Sequence, residues 1–275
     1  MGFEQQRFEL ALQQSRQHLS AVFQLQHNFH SLPLSLQVFE TLASTNQTLW
    51  ELLSQGAIAG TSVLALQQES GRGQWGRQWQ SPLGGLYLSV ALNPLLPIAD
   101  SAQLTLCSAW GIATALRSYN LPVQLKWPND LVIDGRKLGG ILTETRIHQG
   151  QVTKAVVGVG INWTNPVPET GINLKTVLEQ QAESAIDSLE MLSAIALQGI
   201  ASGYTAWQQE GIDNLLPSYL KLLTNLGRSV AVHDFQGTVI GVSAKGELQI
   251  RAGSEGSSSR EILLKPGTIS LGYDV

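Results

Sequence analysis

Helical and strand-like hydrophobic patterns alternate along the first 227 residues, and strand-like patterns alone follow. Residues 1–36 are rich in glutamine and place Phe3, Phe8, Leu10, Leu12, Leu19, Val22, Phe23 and Leu25 at loosely helical spacing. That spacing predicts an N-terminal helical extension of one or two helices ending before Pro33. Residues 38–42 read as a short strand. A helix follows, with Ser44 or Thr45 as N-cap, a stripe of Leu49, Leu52 and Leu53, and Gly56 as its stop. Residues 61–67 and 86–92 read as strands, the second closed by Pro94 and Pro97. Asp100 or Ser101 is expected to cap a long helix running to about Tyr119, and Pro122 prevents its continuation.

Residues 123–127 predict a strand, and 131–133 and 137–144 predict two more, joined by Asp134-Gly135, a strong hairpin signal. Residues 152–163 are apolar on both faces and so predict a central strand. Asp187 and Glu190 are expected to form a capping box for a helix to about Gln209, with a further helix over 215–225 stopped by Gly227. Beyond it, residues 229–232, 237–242, 246–250, 260–264 and 267–271 read as five short strands of a small all-β barrel. The expected organisation is therefore an extension (1–36), a main domain (37–227) and a small β domain (228–275).

Composition narrows the function classes. Apolar residues make up 43%, enough for a sizeable core, and the net charge of −4 argues against a dedicated nucleic-acid binder. The single cysteine, Cys107, rules out a disulfide framework and a thiolate-only metal site, and its apolar run predicts a buried, inert thiol. The five histidines (18, 27, 30, 148 and 233) show no metal spacing. The first residues carry charge where a secretory signal would be apolar, and no uncharged apolar run reaches the ~18 residues of a membrane span, so the expectation is a cytoplasmic protein with no membrane partner.

Candidate chemistry concentrates in four segments. Residues 71–79, Gly-Arg-Gly-Gln-Trp-Gly-Arg-Gln-Trp, form a loop too glycine-rich to hold itself rigid. Arg72 and Arg77, with no acid between Gly71 and Leu92, point to an anion such as a carboxylate or phosphate, and Trp75 and Trp79 can cover a flat ring. The alternative is an ordinary mobile surface loop with its tryptophans folded on the core. The second segment is Lys126-Trp127-Pro128-Asn129-Asp130, followed across the hairpin by Lys137 and Gly139-Gly140. The hairpin brings Asp130 and Lys137 near each other, either as a surface ion pair or as a group that neutralises phosphate charge, with Asp130 as a candidate ligand of a magnesium ion, which needs only one or two carboxylates. The third is Gly158-Val159-Gly160-Ile161-Asn162, where paired glycines in a central strand mean either a bulge or room for a bound ring beside Asn162. The fourth is Ser44-Thr45-Asn46, as helix cap or as ligand contact, with Gln68 near the same place.

In this order and spacing the segments resemble the biotin protein ligase family (biotin–[acetyl-CoA-carboxylase] ligases), over roughly residues 38–273. The resemblance implies an α+β fold, a mixed and mainly antiparallel sheet flanked by helices, followed by an SH3-like β-barrel. It also implies an ATP-dependent ligase: biotin and ATP give biotinyl-5′-AMP, and the biotinyl group passes to a lysine of the biotin carboxyl carrier protein. Ser44, Thr45, Asn46, Gln68, Gly140 and Gly158 would then face biotin, together with Gly71, Gly73 and Gln74 of the loop. Arg72 and Lys137 would serve the carboxylate and α-phosphate, and Arg77, Trp79, Asn129 and Asn162 the nucleotide. Asp130 would act in catalysis, through Mg2+, as an indirect contact or on the acceptor lysine. Two departures stand out. Gln74 occupies a position where many members carry arginine, and residues 1–36 do not resemble the winged-helix DNA reader of the bifunctional members, so no DNA binding is expected. The rival readings are a lipoate ligase or octanoyltransferase, a single-stranded nucleic-acid binder using Arg72, Trp75, Arg77 and Trp79, and a peptide-binding barrel, although only Phe235 and Tyr273 supply aromatics there.

Overall fold

The structure, a computed structural model, describes residues 2–25, 32–181, 186–232, 235–252, 260–269 and 271–273. In chain order the elements are α1 (Gln5–Val22), β1 (Ser35–Leu42), α2 (Thr45–Ser54), β2 (Thr61–Gln68), β3 (Gly85–Leu92), β4 (Leu96–Pro97), α3 (Gln103–Ser118), β5 (Gln124–Lys126), β6 (Asp130–Ile133), β7 (Arg136–His148) and β8 (Gln151–Asn162). They continue with α4 (Leu174–Leu178), α5 (Leu189–Glu210), α6 (Ile212–Leu220), β9 (Ser229–Val232), β10 (Phe235–Val242), β11 (Leu248–Ala252) and β12 (Arg260–Leu264). Seven strands form one sheet in the order β1-β2-β3-β8-β7-β6-β5, with β4 paired to the end of β8. Every pairing is antiparallel except β1 with β2.

Strand periodicity sorts the residues of this sheet onto two faces. One face carries Leu64, Val90, Ala155 and Val157 into the main core, built with Leu106, Ile112, Ile195 and Ile200 of α3 and α5. The other presents Val63, Ala91 and Val156 to Leu49 and Leu53 of α2. That second face continues along β8 to Gly158 and Gly160, and along β7 through Glu144, Leu142 and Gly140, which lie opposite Val156, Gly158 and Gly160. Past the N-terminus of α2 no large side chain rises from β8, and the sheet is left hollow there.

α3 and α5 approach closely where both carry glycine. A Cβ on Gly203 would lie 2.3 Å from the Cys107 carbonyl oxygen, and one on Gly111 would lie 2.2 Å from that of Gly199. The N-terminal helix is part of this packing: Phe8, Leu19 and Phe23 are buried in the main core, and Glu190 of α5 accepts a hydrogen bond from the Glu4 backbone N–H at 2.8 Å.

Several expected boundaries move. β1 starts at Ser35, inside the span expected to be helical extension, because it pairs along its length with β2. The cap of α5 is Ser188, whose hydroxyl accepts from the Met191 N–H, whereas Asp187 pairs with Arg7 and Glu190 serves Glu4. α3 begins from Ala102 after a short 3-10 turn over Ile98–Asp100, so neither Asp100 nor Ser101 caps it. The last main-domain helix, α6, ends at Leu220 rather than near residue 225. Among the described residues the C-terminal strands form an antiparallel sheet in the order β12-β11-β10-β9, four of the five expected. The described part of 267–271 forms no strand, and Ser270, with His27, His30 and His233, lies outside the described residues.

Candidate active site

The hollow beyond α2 is a cavity of about 360 Å³, within the size range of small-molecule sites. Several parts of the chain wall it. Ser44, Thr45 and Asn46 enter from the start of α2, and Gly140, Gly158 and Gly160 form the sheet floor. Arg72 to Trp79 cover it, and the Lys126–Asp130 turn, Lys137 and the C-terminal segment around Gly267–Tyr273 close the far end.

The edge at the start of α2 is a hydrogen-bonded polar network. The Ser89 hydroxyl lies 2.7 Å from Thr45 Oγ1 and 2.6 Å from Asn46 Oδ1. Gln68 Oε1 accepts from the Thr45 backbone N–H and hydroxyl, while its Nε2 donates to Ser81, whose hydroxyl in turn donates to the Trp79 carbonyl. Ser44 takes the N-cap position without a side-chain capping bond, so its hydroxyl is not spent on the helix. Gly158 is required here: a Cβ would meet Asn46 Oδ1 at 2.2 Å.

The covering loop is a miniature hairpin, more organised than its glycine content predicts. Gly73 N–H donates to the Arg77 carbonyl and Trp79 N–H to that of Gly71, with an antiparallel bridge between Arg72 and Gln78. Trp75 and Gly76 take left-handed backbone angles at the tip, at φ 53° and 75°. Trp79 folds back over Gly160, where a Cβ would come within 2.4 Å of its indole nitrogen. Arg72 forms a two-pronged pair with Glu144, Nη1 to Oε1 and Nη2 to Oε2 at 3.1 Å each. Two side-chain atoms of this cover, Trp79 Nε1 and Gln74 Oε1, are buried without a hydrogen-bond partner.

At the far end, Asp134 (φ 49°) and Gly135 (φ 73°) supply the two positive angles of the tight β6–β7 turn. The turn brings Lys137 Nζ to 2.7 Å from Asp130 Oδ1. The other Asp130 oxygen accepts from the Tyr273 hydroxyl, whose ring lies 3.3 Å from Lys126 Nζ. Burial, reinforced by the Asp130 carboxylate, holds the Tyr273 phenol well above the usual range. Asn129 Nδ2 donates to the Ile141 carbonyl at 2.6 Å and thereby fixes the Pro128 turn.

The cavity therefore gathers Ser44, Thr45, Asn46, Gln68, Arg72, Gly73, Gln74, Arg77, Trp79, Asn129, Asp130, Lys137, Gly140 and Gly158, all singled out in the sequence. Two expected residues stand elsewhere. Gly71 sits at the hinge of the cover, where a Cβ would strike the Trp79 carbonyl and the Ser81 hydroxyl. Asn162 is buried behind the hairpin, its amide donating to the Lys137 and Ile172 carbonyls and its oxygen accepting from Asn165. It braces Lys137 from behind instead of lining the cavity. Glu144, Ser89 and Tyr273 were missed. Alternation along β7 puts Glu144 on the face of Gly140, a signal present in the sequence, but Ser89 and Tyr273 arrive only through long-range contacts.

The two carboxylates at this site are engaged, Asp130 by Lys137 and Tyr273, Glu144 by Arg72 and Asn46. Among the described residues no group of three acidic, histidine or cysteine side chains converges. Asp130 is the carboxylate of the described lining, and a magnesium ion held there would take its remaining ligands from water and substrate phosphates.

The model of the biotin/lipoate A/B protein ligase family matches residues 38–162. The bifunctional ligase/repressor BirA of Bacillus subtilis (strain 168) is 33% identical over 218 residues, which cover 76% of this chain and 67% of that protein. The chain belongs to the biotin protein ligase family. A second member, the biotin–[acetyl-CoA-carboxylase] ligase of Paracoccus denitrificans, is 27% identical over 239 residues, covering 81% of this chain and 96% of its own. Among solved structures, the biotin protein ligase from Aquifex aeolicus in complex with biotin and ATP superposes with a TM-score of 0.67 at 26% identity, over 83% of this chain and 95% of that one. The mainly antiparallel sheet flanked by helices is thus shared with that structure, and the family match runs from within β1 to the end of β8. No helix of the described residues is long and apolar enough to cross a membrane.

Proposed function

We propose that this family member is a biotin protein ligase that activates biotin with ATP and passes the biotinyl group to a lysine of the biotin carboxyl carrier domain of acetyl-CoA carboxylase. One observation carries the reading. Arg72 on the cover and Lys137 on the hairpin wall the same cavity, and between them lies a hollow floored by glycine and edged by hydroxyl and amide groups. Two cations across one small cavity suit a reaction in which two anions must meet.

In the first step a biotin carboxylate oxygen attacks the α-phosphorus of ATP, the bond to the bridging oxygen breaks, and pyrophosphate leaves. The carboxylate is already ionised at neutral pH, so no base is needed. The barrier lies in bringing like charges together and holding them in line. Arg72 screens the carboxylate and Lys137 the phosphate, with Lys137 held in place by Asp130. Ser44, Thr45, Asn46 and Gln68 offer donors and acceptors to the ureido ring over Gly158, and Trp79, Arg77 and Asn129 serve the nucleotide side. In the second step the acceptor amine, as its free base, attacks the anhydride carbonyl. AMP leaves and the amine gives up a proton, for which Asp130 is the carboxylate of the described lining. The covering hairpin keeps water from the anhydride between the steps. The C-terminal sheet is read as the SH3-like module of the family.

The test is direct. The protein, ATP and labelled biotin should release pyrophosphate, and label should reach a carrier domain only when its target lysine is present. Pyrophosphate release driven by lipoate and not by biotin would replace this reading with that of a lipoate ligase.

A further inference from the structure

Glu144 belongs to none of the groups assigned above, yet it holds two residues that are. Its carboxylate binds the Arg72 guanidinium through both oxygens at 3.1 Å and accepts from Asn46 Nδ2 at 2.8 Å. Asn46 is 3% exposed and packs over Gly158, so one end of this junction is fixed in the core. The other end is the covering hairpin, which is also held by the Gln68–Ser81–Trp79 chain on its opposite strand and by Trp79 over Gly160 and Trp75 against Gly267. Arg72 is the residue a substrate carboxylate would bind, and its present partner is chemically the same group. A forked guanidinium paired end-on with one carboxylate has both of its paired nitrogens committed.

We propose that Glu144 is a positioning residue, an internal stand-in for the substrate carboxylate. It latches Arg72 and the covering hairpin to the α2 end of the cavity, and the incoming acid takes Arg72 over by exchange. The inference rests on the reading of the cavity as a biotin site. The exchange keeps a cation from facing the hollow without a counter-charge, and it makes the pull on the hairpin depend on an acid. The alcohol analogue of biotin cannot replace Glu144 at Arg72.

The test uses the full chain and the variant Glu144→Gln, which keeps an oxygen for Asn46 but removes the charge that holds Arg72. Calorimetric titration with biotin should show binding tighter by about two- to fivefold, the scale expected for losing competition from a half-exposed ion pair. Binding of biotinol, which carries a hydroxyl in place of the carboxylate, should not change. Trypsin should cut after Arg72 and Arg77 faster in the variant than in the parent, and biotin with ATP should bring the two rates together. Biotin affinity that is unchanged or weaker in the variant overturns the exchange. A parallel loss for biotin and biotinol also overturns it, because Glu144 would then only brace Asn46. If the parent protein releases no pyrophosphate with biotin, the functional reading falls instead. The latch is then judged by trypsin alone, and equal cutting of parent and variant defeats it.

Discussion

The cation most exposed to test is Lys137. It faces the cavity, pairs with Asp130 at 2.7 Å and is backed by Asn162 through its own carbonyl. Lys137→Ala removes the charge aimed at the α-phosphate and should lower biotin-dependent pyrophosphate release by about 10²-fold or more, the scale seen when one preorganised electrostatic group is lost. Trp50→Phe is the matching control: Trp50 lies on α2 under Arg146, with 4.6 Å from the guanidinium to its ring, and takes no part in the cavity. A stopped assay that finds full activity in the alanine variant removes Lys137 from the chemistry. Cys107 makes the opposite case, a reactive residue type kept inert by its surroundings. Burial against α5 pushes its thiol up from about 9 to about 12. A raised acid favours the folded state while it stays protonated, so its share of stability is complete below pH 9 and is lost as pH rises towards 12. Iodoacetamide at pH 8 should therefore leave the native chain unmodified and label one thiol per chain in denaturant. Labelling of the native protein at a comparable rate would mean that the α3–α5 contact opens readily.

At the scale of the elements, what was legible in the sequence depended on how local the cause was. The Asp134-Gly135 hairpin, the central β8 and the C-terminal stop of α2 follow from neighbouring residues, and they stand where expected. Caps were harder, because Asp187, Ser188 and Glu190 are all competent acceptors near one helix start. The choice among them was made by Arg7 and Glu4, which arrive from the other end of the chain. The glycines of β8 show the same division. Their pairing announced a close approach, but only the fold shows that Asn46 approaches Gly158 and Trp79 approaches Gly160. These identities lead to separable outcomes. Gly158→Ala pushes the Asn46 amide out of its network and should weaken biotin binding about tenfold or more, beyond any lowering of the unfolding midpoint, because the clash falls on a residue of the cavity wall. Gly203→Ala forces backbone against backbone between α3 and α5 and should cost about 1–3 kcal/mol in urea unfolding, with activity per folded molecule retained. If the folded Gly158→Ala variant binds biotin as the parent does, the glycines of β8 belong to packing and not to the site.

At the scale of the whole molecule, composition and pattern drew a boundary near Gly227, and the contacts cross it. Val239, Val242, Leu248 and Ile250 of the C-terminal sheet are buried in the same cluster as α3 and α5. Gly227 N–H donates to the Val239 carbonyl, and a Cβ on Gly246 would meet that of Ala102 at 2.7 Å. A further tie is Trp127, 2% exposed, whose indole N–H donates 2.9 Å to the Gly246 carbonyl. Its backbone N–H meanwhile binds Asn225. Trp127 also stands in the wall of the cavity, so the same residue that fixes the turn before Asp130 fixes the small sheet. That sheet carries the segment whose Tyr273 reaches Asp130. Stability of the sheet and geometry of the site should therefore move together. Trp127→Phe keeps an aromatic ring in place but leaves the Gly246 carbonyl unpaired, a loss of about 1–3 kcal/mol. Scanning calorimetry should show one transition in both proteins, lowered by several degrees in the variant, together with slower pyrophosphate release at saturating biotin. A parent protein that melts in two separate steps, or a variant that loses stability at full activity, would mean that the C-terminal sheet rests against the site without shaping it.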